Sequence, residues 1–200
     1  MSNDAVDTSK RRFLVALTSA AGAVGAVGFV YPFVASMNPS ARAEAAGAPV
    51  EVDISKLQPG ELIVVEYRKK PVWILSRTEQ NMSDLPKLDP RLADPHSNAS
   101  IQPVYCKNED RSRESHKNIL VAIGICTHLG CSPKYRPEMG PDDLGSDWVG
   151  GFYCPCHGSR FDLAGRVFKG VPAPTNLTIP KYKYVNATTI KVGEDSEGAA

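Results

Sequence analysis

Two short motifs hold most of the residues in this chain that are suited to binding a metal. They read Cys126-Thr127-His128-Leu129-Gly130-Cys131 and Cys154-Pro155-Cys156-His157-Gly158-Ser159. Together they contain four of the five cysteines and two of the four histidines of the 200-residue chain. Thiolate sulfur and imidazole nitrogen are ligands of zinc and of iron-sulfur centres. The motifs therefore predict a metal site built from two loops.

Each motif supplies one closely spaced cysteine-histidine pair and one further cysteine. The pairs are Cys126 with His128 and Cys154 with His157, and the further cysteines are Cys131 and Cys156. Two thiolates and two imidazoles suit tetrahedral zinc, and they also suit a two-iron cluster in which each loop contacts both metals. Zinc fingers usually pair cysteine with cysteine and histidine with histidine, whereas here each motif mixes the two types. Spacing alone leaves zinc and iron open.

The two motifs resemble the cluster-binding loops of Rieske iron-sulfur proteins, which read Cys-x-His-x-Gly-Cys and Cys-x-Cys-His. The resemblance implies a [2Fe-2S] cluster with four ligands, which would be Cys126, His128, Cys154 and His157. Rieske centres are the standard example of two histidines replacing two cysteines on one iron, which raises the reduction potential because a neutral imidazole removes negative charge. The resemblance also implies that His128 or His157 accepts the hydrogen bond of a quinol hydroxyl and takes up its proton and electron.

The two further cysteines point to one branch of this family. Both are typical of the Rieske subunit of cytochrome bc complexes, which implies a disulfide between Cys131 and Cys156. Such a crosslink contributes about 3 kcal/mol on the chain-entropy model. The alternative is a pair of reduced structural thiols, which a reducing compartment would favour.

Residues next to the ligands tune the cluster in this family. Ser159 matches a serine whose hydroxyl donates to a bridging sulfide. Two positions later, where many high-potential members carry a tyrosine, this chain has Phe161. Because phenylalanine has no hydroxyl to donate, we expect a lower midpoint potential than in tyrosine-bearing relatives.

The segment 170–174 resembles the proline loop that covers the cluster in this family, with Val171 inserted. The alternative is an ordinary turn before a strand at 177–179.

The first 50 residues carry signals for export and membrane insertion. No charged residue occurs from Phe13 to Ser36, a length that spans the hydrocarbon of a bilayer. Lys10, Arg11 and Arg12 precede this run, so the positive-inside rule predicts a cytoplasmic N-terminus. The same residues resemble a twin-arginine (Tat) export signal, with imperfect spacing. The alternative is a signal peptide cleaved near Ala41-Arg42-Ala43.

These features divide the chain into five parts. We predict a cytoplasmic N-terminus (1–12), a transmembrane helix (13–36), a flexible tether (37–49), a Rieske [2Fe-2S] domain (50–193) and a disordered acidic tail (194–200). The tether is rich in alanine and bounded by Pro39 and Pro49, a composition that cannot bury itself. In the family it is a hinge for the cluster domain, and the alternative is a passive spacer.

The pattern after residue 50 is mainly β. Short β-branched or aromatic runs separated by turns predict strands at 62–67, 72–75, 119–125, 151–153 and 189–192. The turn at 68–71 is expected to close a hairpin. Together with the resemblance, this predicts a Rieske-type antiparallel β-sandwich with both cluster loops at one end. Residues 78–118 look like an insertion with at most a short helix and a solvated charged run at 107–114. Cys106, His96 and His116 lie there without ligand spacing.

Composition narrows the possible functions. The net charge of +1 argues against a nucleic-acid partner, and neither a phosphate-binding glycine loop nor a nucleophile with a partnering base is present. The resemblance implies the Rieske subunit of a bacterial cytochrome bc complex. Its partners would be cytochrome b, a c-type cytochrome, quinol (ubiquinol is expected) and the inner membrane, in a dimeric complex with the cluster domain in the periplasm. The alternatives are the small subunit of arsenite oxidase and a zinc-stabilised periplasmic binding domain.

Overall fold

A computed structural model describes residues 7–195. The chain divides into two units at residue 45, and each unit is described separately. The predicted segments 1–12 and 194–200 extend beyond the described range, because residues 1–6 and 196–200 lie outside it. The two described residues of the predicted tail form ion pairs, Glu194 with Lys183 and Lys191, and Asp195 with Lys181.

The first unit is built around one long helix, α1 (Thr8–Ala35), which includes nearly all of the predicted span. Asp7 caps its N-terminus, accepting hydrogen bonds from the backbone N–H groups of Ser9 and Lys10. Its apolar side chains are exposed, and its length and composition are sufficient to cross a membrane, as those of a signal sequence also would be. The predicted tether (37–49) includes a seven-residue helix, α2 (Ala41–Gly47).

In residues 46–195, the described part of the second unit, there are nine strands and one further α-helix. The strands are β1 (Val50–Asp53), β2 (Leu62–Tyr67), β3 (Lys70–Ser76), β4 (Ile119–Ile123), β5 (Lys134–Met139), β6 (Val149–Cys154), β7 (Ser159–Phe161), β8 (Tyr182–Asn186) and β9 (Thr189–Val192), and the helix is α3 (Glu79–Asp84). They form three antiparallel three-stranded sheets with the orders β1-β9-β8, β2-β3-β4 and β5-β6-β7. The mainly β prediction is confirmed.

The two sheets that flank the site share a core. The ring of Trp73 on β3 stacks on Phe152 of β6 with their centroids 4.7 Å apart. Gly151 on β6 lies so close to β7 that a Cβ atom there would be 2.2 Å from the backbone oxygen of Phe161. This contact holds β7, which begins at Ser159, tightly against the strand that ends at Cys154.

The predicted strands are only partly those observed. The predicted turn joins β2 and β3 through Arg68 and Lys69, both at positive φ, as tight hairpins require. The prediction of a strand at 177–179 is wrong. Leu177 and Ile179 donate backbone hydrogen bonds to Gly165 and Ile101, and Thr178 accepts one from Ile123. The segment is therefore bonded to three separate parts of the chain instead of one neighbouring strand.

The insertion has more local structure than its composition predicts. Besides α3, it contains 3₁₀ helices at Leu85–Arg91, Val104–Cys106 and Glu114–His116. The thiol of Cys106 is buried 3.5 Å from the hydroxyl of Tyr182, and burial raises its pKa. His96 is exposed and His116 is half-buried against Tyr184. Among the described residues, the group of sulfur atoms that lie close enough to share a metal does not include Cys106, His96 or His116.

The prediction that the charged run at 107–114 is a solvated surface is wrong at Arg111. This side chain is completely buried and donates to the backbone carbonyls of Ala164, Gly165 and Leu177. These carbonyls lie outside the strands, so they require donors from elsewhere, and a guanidinium group supplies several at once. Burial lowers the pKa of Arg111 to about 10. A charged side chain thus serves as an internal crosslink.

Candidate metal centre

Two loops with the same backbone geometry carry the predicted ligands. Loop A (residues 124–133) joins β4 to β5, and loop B (residues 155–158) joins β6 to β7; Cys154 is the last residue of β6, directly before loop B. In loop A the N–H of Gly130 donates to the carbonyl of Cys126 at 3.0 Å; at loop B the N–H of Gly158 donates to that of Cys154 at 2.9 Å. Both glycines have positive φ, at 84° and 78°, which explains why glycine follows each ligand pair.

A disulfide joins the two loops. Cys131 of loop A is bonded to Cys156 of loop B, with their Cα atoms 6.7 Å apart and a separation of 25 positions in sequence. The pairing implied by the resemblance is therefore present. The carbonyl of Cys131 also accepts a 2.7 Å hydrogen bond from the N–H of Cys126. The crosslink therefore lies next to Cys126 in loop A, and in loop B Cys156 directly precedes His157.

The two remaining cysteines of the motifs are free and buried, with Cys126 at 3% and Cys154 at 2% exposure. Burial raises the pKa of the Cys154 thiol, and its contact with the Cys126 thiol raises it further, whereas the backbone N–H groups of Cys156 and His157 lower it. Two thiols in mutual contact, with N–H groups directed at one of them, are suited to binding a cation as thiolates.

The two imidazoles lie next to each other. The ring centroids of His128 and His157 are 4.8 Å apart and the rings are nearly perpendicular. The Nδ1 atom of His128 is buried and has no hydrogen-bond partner among the described residues. An unpaired buried nitrogen is costly unless a ligand completes it, so its environment fits a metal-bound imidazole. His157 is exposed and reaches solvent from the tip of loop B.

Geometry alone also groups a different trio of sulfur atoms. Those of Cys131, Cys154 and Cys156 lie within 4.8 Å of one another. Two of the three are joined in the disulfide, which leaves only the thiol of Cys154 able to bind a metal. This trio is therefore not a competing site, and it shows how close the disulfide is to Cys154.

A third segment, the proline segment (170–174), is bonded to the strand after loop B. Ser159 is fully buried, and its hydroxyl oxygen accepts a 3.1 Å hydrogen bond from the N–H of Ala173. This contact uses the acceptor side of the hydroxyl, so its proton remains available to donate. Phe161 is also fully buried and lies two positions along β7, on the same face as Ser159.

Sequence reasoning missed the residues that attach the proline segment to loop A and to the insertion. The hydroxyl of Thr127 donates to the carbonyl of Thr175 at 2.6 Å. The side chain of Asn176 accepts from the N–H of Val167 and donates to the carbonyl of Asp94 and the hydroxyl of Ser97. Only one signal was available beforehand, which is that Thr127 lies between two predicted ligands. Asn176 has no distinguishing spacing.

Comparison with known proteins agrees with this geometry. Residues 104–183 match the model of the "Rieske [2Fe-2S] domain". Residues 1–40 match a second model, described as "Ubiquitinol-cytochrome C reductase Fe-S subunit TAT signal". The fold and the site thus define a Rieske iron-sulfur protein with an export signal.

Full-length relatives specify the family more closely. The chain is 64% identical to the ubiquinol-cytochrome c reductase iron-sulfur subunit of Allochromatium vinosum, covering 100% of this chain and 95% of the relative. The corresponding subunit of Bradyrhizobium diazoefficiens is 41% identical (92% and 94% covered), and that of Blastochloris viridis is 39% identical (96% and 97%). The chain belongs to the family of ubiquinol-cytochrome c reductase iron-sulfur subunits. Its cofactor is a Rieske-type [2Fe-2S] cluster.

Proposed function

We propose that this chain is the electron-transfer subunit of a quinol-cytochrome c oxidoreductase, taking one electron from quinol and passing it to a c-type cytochrome. The observation that carries the proposal is the meeting of two thiols and two imidazoles on two disulfide-linked loops. Whole-length similarity to subunits of that enzyme supports it and favours it over the arsenite oxidase alternative.

In this proposal Cys126 and Cys154 would hold one iron, and His128 and His157 would hold the other. When bound, the cluster supplies a one-electron carrier of higher potential than an all-cysteine cluster. The buried Nδ1 of His128 is the nitrogen that lacks another partner, which supports its role as a ligand atom. His157 is exposed, so its imidazole can accept the hydrogen bond of a quinol hydroxyl and hold its proton.

The N-terminal unit supports anchoring in a membrane with the cluster domain translocated. The export-signal match and the long apolar helix are consistent with a domain that crosses the membrane after folding around its cluster. We propose a single span in a bacterial inner membrane, with the cluster domain in the periplasm. There it would work with cytochrome b and a c-type cytochrome in a dimeric complex, and residues 37–49 would be the tether.

Spectroscopy and one activity assay test this proposal. The purified full-length protein is expected to be coloured and, when reduced, to give the EPR signal of a histidine-ligated [2Fe-2S] cluster. Membranes containing the complex are expected to reduce cytochrome c with quinol, and inhibitors of the quinol site should stop this activity. A colourless zinc protein, or electrons that come from arsenite and not from quinol, would contradict the proposal.

Phe161→Tyr is expected to raise the midpoint potential of the cluster. Phe161 lies on the same face of β7 as Ser159, so a phenolic hydroxyl there would add a second donor that stabilises the reduced state. A net hydrogen bond of about 1 kcal/mol corresponds to about 40 mV for one electron. Redox titration followed by EPR measures the shift.

Phe168→Tyr is the matched control for this prediction. It adds the same hydroxyl to a buried ring that stacks on Trp148, in a smaller core than the one containing Phe161. Its midpoint potential should stay close to that of the unmodified protein. An unchanged or lower potential in Phe161→Tyr would show that the hydroxyl at this position does not reach the cluster.

A further inference from the structure

A positively charged recess lies beside loop B. It has a volume of about 490 Å³, and its wall includes Gly158 of loop B and Gly170 of the proline segment. Of the residues that the structure describes, three with cationic side chains line it, Arg91, Arg160 and Lys169, and none with a carboxylate does. The chain as a whole has a net charge of only +1, so this concentration is a local feature.

Two of the three cations have no ion-pair partner within 4.0 Å among residues 7–195. Arg160 donates to the carbonyl of Leu144, and the ammonium group of Lys169 donates to that of Pro90. Backbone carbonyls orient these groups without neutralising them. Arg91 is instead paired with Asp147 and lies over the ring of Phe168.

Neighbouring acids do not neutralise the recess. The carboxylate of Asp143 feels the charge of Arg160, but Arg136 already binds both of its oxygens at 2.8 Å. Asp147 is held by Arg91. The charges of Arg160 and Lys169 therefore remain available to an anion from outside the chain.

The mouth of the recess is open. Gly158 and Gly170 both have positive φ, and a Cβ atom at either position would meet no atom within 4 Å. Bare backbone at these two positions allows another surface to approach closely. Gly158 directly follows the exposed His157 in sequence, so the recess adjoins loop B, which carries this imidazole.

We propose that this recess docks a carboxylate-bearing surface of the c-type cytochrome that accepts the electron. The inference rests on the proposed function and adds which chemical groups of the acceptor, carboxylates, contact this chain. Quinol is uncharged and gains little from unpaired cations, whereas an acidic protein surface is steered and oriented by them. Because Gly158 lines the recess, an acceptor docked there would lie beside loop B, which carries the exposed His157.

The test is a double variant of the cluster-containing full-length chain, Arg160→Gln with Lys169→Gln. Its binding to the isolated haem domain of the partner cytochrome is titrated at low and high salt. At low salt we expect about tenfold weaker binding, because the two substitutions remove two charges that would pair with carboxylates of the cytochrome. The difference should shrink at high salt. Lys56→Gln with Lys117→Gln removes the same charge from exposed positions outside the recess and should change binding less than twofold.

Equal weakening in both double variants would overturn the proposal, because it would show an effect of net charge alone. A second arm titrates inorganic phosphate. The variant Arg160→Gln with Lys169→Gln could lose phosphate binding but keep its cytochrome binding unchanged. That result would show that the recess is a site for small anions, and it would also overturn the docking proposal. If the unmodified protein has its EPR signal and quinol activity, but the variant Arg160→Gln with Lys169→Gln binds the cytochrome normally, only the docking proposal is contradicted. If the unmodified protein lacks the EPR signal, the proposed function is contradicted, and the docking proposal that rests on it is contradicted too.

Discussion

The His157→Ala variant is expected to contain no [2Fe-2S] cluster and to support no quinol-dependent reduction of cytochrome c. His157 and His128 are the two imidazoles that the loops bring together, so removing one leaves an iron without a ligand at the exposed tip of loop B. Thiolates alone cannot replace it, because the further cysteines are joined in a disulfide. Iron content, visible absorption and EPR of the purified protein measure the effect.

His96→Ala is the matched control for this variant. His96 is an exposed histidine in the insertion, within 3.5 Å of the carboxylate of Glu109, and it belongs to neither loop. Its loss should leave iron content, spectra and activity close to those of the unmodified protein. An intact Rieske EPR signal in His157→Ala would remove this residue from the ligand set.

Replacing Cys131 and Cys156 together with serine is expected to have the second large effect. On the chain-entropy model the crosslink over 25 residues contributes about 3 kcal/mol to the free energy of unfolding. Without it, loops A and B are tied together only by hydrogen bonds and by the cluster. We expect faster cluster loss on warming, and a lower free energy of unfolding in denaturant titrations of the cluster-free protein, where metal binding does not contribute.

Cys106→Ser is the matched control, because it also replaces a cysteine but leaves the disulfide intact. Cys106 is fully buried and contacts the hydroxyl of Tyr182, and a serine hydroxyl can keep that contact. Its cluster should be lost on warming at the rate of the unmodified protein. If the double serine variant keeps its cluster equally well, the disulfide does not hold the loops together.

The parts of this protein that were predictable are those specified by nearby residues. A long, predominantly apolar run without charges is the local signal of a membrane-spanning helix, and α1 includes nearly all of that run. Likewise β2, β3, β4, β6 and β9 have dense β-branched or aromatic runs. By contrast, β5 contains Pro137 and mostly exposed side chains, and β7 has only three residues. Their pairing with β6 comes from packing, which local pattern does not encode.

Within the site, residue type and spacing determined the sulfur and nitrogen chemistry, because each pair of predicted ligands lies within four consecutive residues and a glycine directly after them closes the turn. Only the tertiary structure decided how that chemistry is enclosed. The proline segment reaches Ser159 through Ala173, and Thr175 directly after it accepts from Thr127 of loop A. The buried Arg111 crosslinks the carbonyls of three residues far along the chain. Such contacts depend on where distant backbone groups are left without partners, and that is known only once the sheets have packed.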